Sequence, residues 1–178
     1  KPQDAIKSKI ALLPEERRTQ GIVGKMTVRE NISLVVSNRL SKLCVINRKK
    51  DRQLAKKYIK DINVKTPTPE QIIRFLSGGN QQKAIIGKWL ATEADIFLLD
   101  EPTRGIDIGA KSEIYEIING LTKSGKAVLL FSSELPELLG VCDDIMVMNN
   151  GRLAGVLSNE EATQEEIMKL SVGGSDHE

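Results

Sequence analysis

Residues 76–83 read Leu-Ser-Gly-Gly-Asn-Gln-Gln-Lys and residues 96–107 read Ile-Phe-Leu-Leu-Asp-Glu-Pro-Thr-Arg-Gly-Ile-Asp, and these two runs govern the interpretation of the whole chain. In the first run, Ser77 precedes Gly78, Gly79 and a series of good helix formers, which predicts a helix with Ser77 as its N-cap. The first amides of such a helix have no partner inside the helix and lie at the positive end of its dipole. We therefore expect an anion such as phosphate to bind there, with the glycines allowing the backbone to come close.

The second run is apolar over residues 96–99 and ends in two adjacent carboxylates, Asp100 and Glu101. A short apolar run without alternation is typical of a strand buried on both faces of a parallel sheet. Pro102 favours an extended backbone at Glu101, so both acids should lie at the carboxyl end of that strand, where open α/β sheets bind ligands. A carboxylate at that edge can hold hydrated Mg²⁺, and its neighbour can orient or deprotonate water.

At these residues the chain resembles a known family. Residues 76–83 resemble the signature motif of ABC-transporter ATPases, and residues 96–101 resemble their Walker B strand. With residues 102–111 included, the sequence is similar to that of the second ATP-binding half of bacterial monosaccharide-importer ATPases of the ribose, xylose and galactose type. The plain alternative is a turn followed by an ordinary core strand, but the order and spacing of the two motifs favour the family. The resemblance implies an α/β fold, with a P-loop-NTPase-like parallel sheet core and an inserted α-helical subdomain.

The core implied by this resemblance is incomplete, because the sequence contains no full Gly-x-x-x-x-Gly-Lys-Ser/Thr phosphate loop. Residues 120–127 come nearest, but they lack the hydroxyl residue, and a helix precedes them where a phosphate loop needs a strand. We interpret Gly125 as a helix-ending glycine. The chain also begins at Lys1 without an initiator Met. We therefore expect it to be a fragment whose phosphate loop lies upstream.

Composition narrows the class of protein. The 178 residues are long enough for one sizeable core, and 40% apolar with 28% charged residues is ordinary for a soluble globular protein. The net charge of +2 suggests neither a nucleic-acid binder nor an enzyme for acidic substrates. Cys44 and Cys142 form no Cys-x-x-Cys pattern, which suits free thiols in a reducing cytosol. No apolar run approaches the length of a membrane span.

The resemblance implies that the chain divides into four parts of one ABC ATPase domain, with the following expected bounds. Residues 1–23 form the end of a core strand and helix with the Q-loop region, and residues 24–76 form the helical subdomain. Residues 77–158 contain the signature helix, the Walker B strand and the core, and residues 159–178 contain a C-terminal helix and a tail that includes the single histidine, His177. The basic run 47–60 predicts a solvated helix face rather than a nucleic-acid site, because aromatic residues are not interleaved with the charges.

Several local signals predict where elements begin and end. Thr27 with Glu30 forms a capping box before a helix, and Asp107 is the expected N-cap of a helix with a continuous apolar face. Residues 127–131 should be the next buried strand. The turn at 149–151 predicts a hairpin, and residues 163–170 predict a final short helix.

The resemblance also implies roles for individual residues. Asp100 would hold Mg²⁺ and Glu101 would be the catalytic base. The signature residues Ser77, Gly78, Gly79 and Gln81 would contact ATP in trans, meaning ATP held by another ATPase half. Further functional positions are Glu15 in the Q-loop, Asp107 in the D-loop (residues 104–107), through which the two halves would contact each other, and Ser133 at the position where the family has the switch histidine. A carboxylate at position 15 and a serine at position 133 depart from the family pattern, so this half's own nucleotide site should be weak.

The function implied is part of the ATP-hydrolysing subunit of a bacterial monosaccharide importer, most similar to the galactose or methyl-galactoside type. Its cofactors would be ATP and Mg²⁺. Its partners would be an N-terminal ATPase half or a second ATPase subunit, transmembrane permease subunits and, indirectly, a periplasmic or extracellular sugar-binding protein, with no nucleic acid. It would lie peripherally on the cytoplasmic face of the cell membrane, and the isolated fragment should be inactive. Two alternatives stay open: a DNA-associated ABC-type ATPase, and a catalytically silent dimerisation or regulatory module.

Overall fold

The structure is a computed structural model that describes residues 1–43 and 45–172. The chain forms two compact units, Lys1–Phe131 and Ser132–Glu178. Along the first unit, the helices and strands are α1 (Pro2–Lys7), β1 (Ile10–Leu13), α2 (Val28–Ser33), α3 (Ser37–Leu40), β2 (Ser41–Lys42), β3 (Val45–Ile46), α4 (Arg48–Asp61), α5 (Gly78–Leu90), β4 (Ile96–Asp100), α6 (Ile108–Lys123) and β5 (Ala127–Phe131). Short irregular helices cover Arg17–Gly21 (a π-helical segment), Leu34–Val36 and Ile73–Phe75. The second unit contains α7 (Leu135–Val141), β6 (Asp144–Asn149), β7 (Arg152–Ser158) and α8 (Gln164–Val172).

The sheet of the first unit has the order β1-β4-β5, and both pairings are parallel, as the apolar runs predict. Strand β4 is central, and its Phe97 and Leu99 are almost fully buried. Its other face is more open, since Ile96 is 38% exposed. The prediction that β4 is buried on both faces is therefore wrong for one face.

Strand β5 differs from its prediction in the same way. It has β4 as its single partner among the described strands, and its Leu129 and Phe131 are 39% and 49% exposed. A strand with one neighbour is covered less than a central strand, so the expectation of a buried strand at residues 127–131 is not met, although the strand itself is confirmed.

The helices α2, α4 and α5 share one apolar core around Val28, Ile32 and Ile73. The capping box predicted at the start of α2 is confirmed: Thr27 Oγ1 accepts from the Glu30 amide at 3.1 Å, and the Glu30 carboxylate accepts from the Thr27 amide at 2.9 Å. The signature helix α5 is therefore packed directly on the helices that precede it.

Both predicted ends of α6 are confirmed. Asp107 Oδ1 accepts from the Ala110 amide at 2.9 Å and caps the first turn. At the other end, Gly125 has a φ of +81°, and the amides of Gly125 and Lys126 donate back to Thr122 and Leu121. These two backbone hydrogen bonds form the Schellman motif, in which glycine adopts a left-handed backbone without the steric cost that other residues have there.

In the second unit, β6 and β7 form the predicted antiparallel hairpin. Asn150 and Gly151 both have positive φ, the backbone that a two-residue hairpin turn requires. Helix α8 covers the predicted final helix, and Ile167 is buried in a small core with Ile145 and Val147.

The basic residues of α4 lie on its exposed side, as predicted, and two of them form ion pairs, Arg52 with Glu70 and Lys57 with Asp61. Among the helices of residues 1–43 and 45–172, none is both long enough and apolar enough to cross a membrane. Cys44, His177 and the rest of the tail from residue 173 lie outside the described residues.

Candidate functional site

The signature run forms the start of α5, with Ser77 as the N-cap residue. The Ser77 side chain is exposed and makes no capping bond to the helix amides. Its Oγ instead accepts from Asn80 Nδ2 at 2.9 Å, and Asn80 Oδ1 accepts from the Lys65 amide at 2.7 Å. The serine hydroxyl is thus held at the surface, and it leaves the amides of the first helical turn uncapped, which suits binding of an anion at this end.

The two signature glycines are required for different physical reasons. A Cβ at Gly78 would lie 2.8 Å from Arg17 Nη2 and 3.3 Å from the Gly105 carbonyl oxygen. A Cβ at Gly79 would lie 2.5 Å from Ala110 Cβ on α6. Gly78 therefore leaves room for a guanidinium and the 104–105 loop, whereas Gly79 allows α5 and α6 to approach closely.

Gln81 points into the protein. It is almost fully buried, and its Nε2 donates to the Leu76 carbonyl at 3.0 Å, with longer contacts to the carbonyls of Ile73 and Arg74. In this geometry its side chain holds the loop that leads into α5. A direct contact of the Gln81 side chain with ATP has no support in this arrangement.

Asp100 is the last residue of β4, and Glu101 follows it at the carboxyl edge of the sheet, as predicted. The Glu101 amide donates to the Phe131 carbonyl at 2.9 Å, and the Glu101 carbonyl accepts from the Arg104 amide at 3.1 Å. The expected extended backbone at Glu101 is wrong, because its φ is +46°. The chain turns sharply as it leaves β4, and a left-handed backbone at a non-glycine residue stores strain of about 1 kcal/mol or more.

The residues at this edge fit a magnesium ion that is held mainly by a nucleotide. Within residues 1–43 and 45–172, no group of three or more His, Cys, Asp or Glu residues could hold a metal ion by itself. Mg²⁺ commonly uses one or two carboxylates together with water and substrate phosphates, so a single carboxylate such as Asp100 would be enough as the protein's ligand.

The loop after β1 and the loop after β4 are joined beside the signature. Arg17 Nη1 donates to the Arg104 carbonyl at 2.7 Å, and Arg17 Nη2 donates to the Gly105 carbonyl at 3.1 Å. In the opposite direction, the Arg104 guanidinium forms an ion pair with the Glu15 carboxylate. Burial lowers the pKa of Arg17 from its ordinary value, although a guanidinium stays charged at neutral pH. Glu15, at the predicted Q-loop position, thus pairs with Arg104 of the predicted D-loop.

A second set of charged residues joins α5 to α6 and to the segment before the signature. Lys83 is buried, and its Nζ donates to Glu113 of α6 at 2.7 Å and to the Asn63 carbonyl. Lys65 Nζ donates to the other oxygen of Glu113 at 2.9 Å. These bonds, first from Lys83 and then from Lys65, lower the pKa of Glu113 to about 2. One carboxylate therefore links α5, α6 and the segment before the signature.

Lys88 joins the far end of α5 to the π-helical segment. Its Nζ donates to the Gly21 carbonyl at 2.7 Å, and burial lowers its pKa to about 8. A Cβ at Gly21 would lie 2.6 Å from the Ile85 side chain, so this segment packs tightly against α5. The position of Arg17 at the start of the segment therefore depends on α5 itself.

Ser133 lies in the second compact unit, in the bend just before α7, and its proposed switch role stays a prediction. Sequence reasoning did not identify the link between Arg17 and Arg104, or the roles of Lys83 and Glu113. Arg17 and Arg104 are 87 residues apart, and no local pattern links them. Lys83 carries a weak signal of burial, because its neighbours in the helix are the uncharged residues Gln82, Ala84 and Ile85.

Comparisons with known proteins agree with this geometry. The sequence profile of the family described as ABC transporter matches residues 1–104. An Agrobacterium fabrum protein named for ribose, galactose and methyl galactoside import is 51% identical over 97% of this chain and 34% of its own length. A xylose import ATP-binding protein of Thermoanaerobacter pseudethanolicus is 50% identical over 97% of this chain and 34% of its own length. The chain thus spans about a third of the length of these relatives.

A solved structure of another protein has the same fold. A dimeric ATP-binding cassette in a post-hydrolysis state, bound to ADP and Pi, superposes with a TM-score of 0.71, covering 86% of this chain and 64% of that chain at 19% identity. The α/β architecture with a parallel sheet is therefore that of ABC ATPase domains. By its sequence profile, by relatives at about half identity and by its fold, the chain belongs to the ABC transporter family.

Proposed function

We propose that this chain is part of the ATP-hydrolysing subunit of a bacterial monosaccharide importer, and that its signature acts on ATP held by another ATPase half. The observation that carries the proposal is the start of α5, where Ser77 is exposed and leaves the first-turn amides uncapped. Uncapped amides at a helix N-terminus, beside glycines that permit close approach, suit the γ-phosphate of a nucleotide.

The chemistry of hydrolysis requires a phosphate cradle, a metal ion and an oriented water. Asp100 is the residue of this chain that would hold Mg²⁺, which supplies charge stabilisation for the phosphates. Glu101 would hold and deprotonate water at the same edge. Residue 133 is a serine where the family has a histidine, and residue 15 is a carboxylate, so we infer that these carboxylates form a weak site; we expect no ATP hydrolysis by the isolated chain.

The two roles can be separated in the full-length protein. We expect Ser77→Arg to reduce ATP turnover on the order of 100-fold, the scale for losing a positioned donor group. We expect Glu101→Gln to have a much smaller effect, because it alters only the weak site. A matched control is Ser112→Arg, an exposed serine on α6. The trans role is contradicted when turnover falls with Glu101→Gln and survives in Ser77→Arg.

Coupling to a membrane partner would use the helical region at residues 24–76 and the charged loop at residues 15–18. A groove of about 1050 Å³ lies between α2, α4 and β3, and three exposed apolar side chains, Leu34, Val45 and Ile46, line it. Charged side chains, among them Arg29, Glu30 and Arg48, also line this groove, so it suits a short amphipathic helix of a permease subunit. We expect Ile46→Asp to reduce sugar uptake while ATP turnover persists; unchanged uptake would remove the groove from the proposal.

The sugar itself would be selected by the permease and by a sugar-binding protein, and a galactose-type substrate is the finer form of the proposal. A sugar-uptake assay in cells lacking the native gene, comparing galactose, ribose and xylose, tests it. Peripheral binding at the cytoplasmic face of the membrane follows from the importer role. Partner dependence, ATP and Mg²⁺ binding are all properties proposed for the full-length protein.

The DNA-associated alternative has less support. The exposed cations of α4 include residues already engaged with acids, such as Arg52 with Glu70, and the net charge is only +2. Salt-sensitive binding of the full-length protein to duplex DNA would favour that alternative. A silent regulatory module would instead leave ATP turnover of the full-length protein unchanged in the Ser77→Arg variant.

A further inference from the structure

Four residues on two distant loops make two crossed links beside the signature, and we refer to Glu15, Arg17, Arg104 and Gly105 as the Arg17 cluster. The Arg17 guanidinium donates to two consecutive carbonyls, those of Arg104 and Gly105, at 2.7 and 3.1 Å. The Arg104 side chain pairs with the Glu15 carboxylate. The arginine of each loop therefore contacts the other loop: Arg17 bonds to the carbonyls of residues 104–105, and Arg104 pairs with Glu15.

The cluster holds the turn at residues 104–105 through hydrogen bonds to both of its carbonyls. Gly105 has a φ of +65°, a left-handed backbone in which the carbonyls of the turn point towards Arg17. Carbonyl oxygens bonded to a charged donor form hydrogen bonds about twice as strong as neutral ones. The turn also ends at Asp107, the N-cap of α6, so its conformation sets where α6 begins.

The cluster also contacts the signature. A Cβ on Gly78 would lie 2.8 Å from Arg17 Nη2 and 3.3 Å from the Gly105 oxygen. The Arg17 Nε is buried without a hydrogen-bond partner among the described residues, so the hydrogen bonds of this guanidinium come from its two terminal nitrogens. The Arg17 guanidinium thus lies close to the start of α5 as well as to the carbonyls of Arg104 and Gly105.

We propose that Arg17 is a positioning residue that sets the D-loop against the signature for their joint contact with the other ATPase half, and that Glu15 serves as the partner of Arg104 instead of sensing a metal ion. The inference rests on the proposed function. It assigns a role to the carboxylate at position 15, where a glutamine would be expected to contact magnesium and water.

The ion-pair half of the inference is tested by charge reversal in the full-length protein. We expect Glu15→Arg and Arg104→Glu each to lower kcat for ATP about 3- to 10-fold, because each places like charges together. We expect the double variant to recover to within about twofold of the wild type, because the pair is restored with its polarity reversed. The KM for ATP should change little, since neither side chain belongs to the proposed nucleotide cradle. A double variant as impaired as the worse single variant would overturn the pairing.

The metal alternative has its own readout. If Glu15 contacts Mg²⁺, then Glu15→Gln should shift the Mg²⁺ concentration for half-maximal turnover several-fold. We expect no shift beyond about twofold, and a larger one would overturn the inference.

The Arg17 half is tested by a graded series, Arg17→Lys and Arg17→Met, with Arg152→Met as the matched control on an exposed strand of the second unit. Lysine keeps the charge and one donor position, so kcat should fall in the order wild type, lysine, methionine. Amide hydrogen exchange over residues 103–107 should rise in the same order and stay at the wild-type rate in the control. This exchange readout needs no activity, so it decides the inference even when ATP turnover refutes the proposed function; unchanged exchange in Arg17→Met would overturn it.

Discussion

Replacing Gly79 with alanine separates a packing role of the second signature glycine from a ligand-binding role. The new Cβ would lie 2.5 Å from Ala110 Cβ on α6 and 3.4 Å from the Ile106 side chain. Two carbon atoms prefer a separation of about 3.5–4.0 Å, so α5 and α6 must move apart. The added Cβ and the Ala110 Cβ are both bonded directly to the backbone, so no rotamer change relieves their overlap.

The expected cost follows from two opposing effects. Forcing an extra methyl into a packed contact costs about 1–3 kcal/mol. Alanine recovers up to about 1 kcal/mol of helix propensity, and less in the first turn. We therefore expect Gly79→Ala to destabilise α5 and α6 by about 1–2 kcal/mol.

The assay is amide hydrogen exchange across α5 and α6 in the full-length protein, which reports the local free energy of opening. Adding Ala110→Gly removes the opposing methyl, so the double variant should be more protected than the two single effects predict, by about 1 kcal/mol. Gly120→Ala is the matched control: it lies on α6 with nothing within 4 Å of its added Cβ, so it should stabilise slightly.

Two results would refute this reasoning. Gly79→Ala could leave exchange unchanged while reducing nucleotide affinity, which would assign the glycine to the ligand alone. The double variant could also be as unstable as the sum of its parts, which would show that Ala110 is not the atom in conflict.

Three further predictions concern charges and caps of the first unit. Glu113→Gln should lower the free energy of unfolding at pH 7 by about 1 kcal/mol after screening by solvent. The wild type has this contribution above the ordinary pKa of 4.5 and loses it as the pH falls towards about 2. Unfolding measured across this pH range should therefore show the loss in the wild type and no such loss in the variant. For Lys88, the folded pKa of about 8 lies below the ordinary 10.5, so the unfolded chain binds more protons between these pH values. The free energy of unfolding should therefore rise with pH by up to about 3 kcal/mol. Lys88→Met should remove that rise, and a parallel rise in the variant would assign it to another group. Thr27→Ala should cost about 1 kcal/mol by breaking the capping box, as measured by urea unfolding, while Thr122→Ala, an exposed threonine on α6, should cost less.

Local features of this fold could be predicted from the sequence because their causes are local. The Thr27 capping box, the Asp107 cap and the Schellman glycine at 125 each depend on residues within one helical turn. The hairpin turn at Asn150 and Gly151 depends in the same way on two residues that tolerate positive φ.

Features that depend on neighbours in space could not be predicted. The partial exposure of Ile96 and Phe131 reflects which strands and helices cover them, and an apolar run alone does not reveal that. The φ of Glu101 reflects a turn that is fixed by a bond to β5, and it prevailed over the local preference of a residue before proline.

The candidate site shows the same division. The motifs correctly placed Asp100 at the carboxyl edge of the sheet and Ser77 at a helix N-terminus. They did not reveal that Gln81 is directed inwards, or that Arg17 lies between the D-loop and Gly78. Both facts arise from contacts between segments that the sequence separates.

The central claim is that the first-turn amides of α5 bind a phosphate held by another ATPase half. A structure of the full-length protein with a non-hydrolysable ATP analogue and Mg²⁺ measures it directly. We expect the amide nitrogens of Gly78, Gly79 or Asn80 to lie about 3 Å from γ-phosphate oxygens of a nucleotide whose cradle belongs to the other half. The account is contradicted when those amides are bonded to this chain's own atoms and the nucleotide contacts no residue of α5.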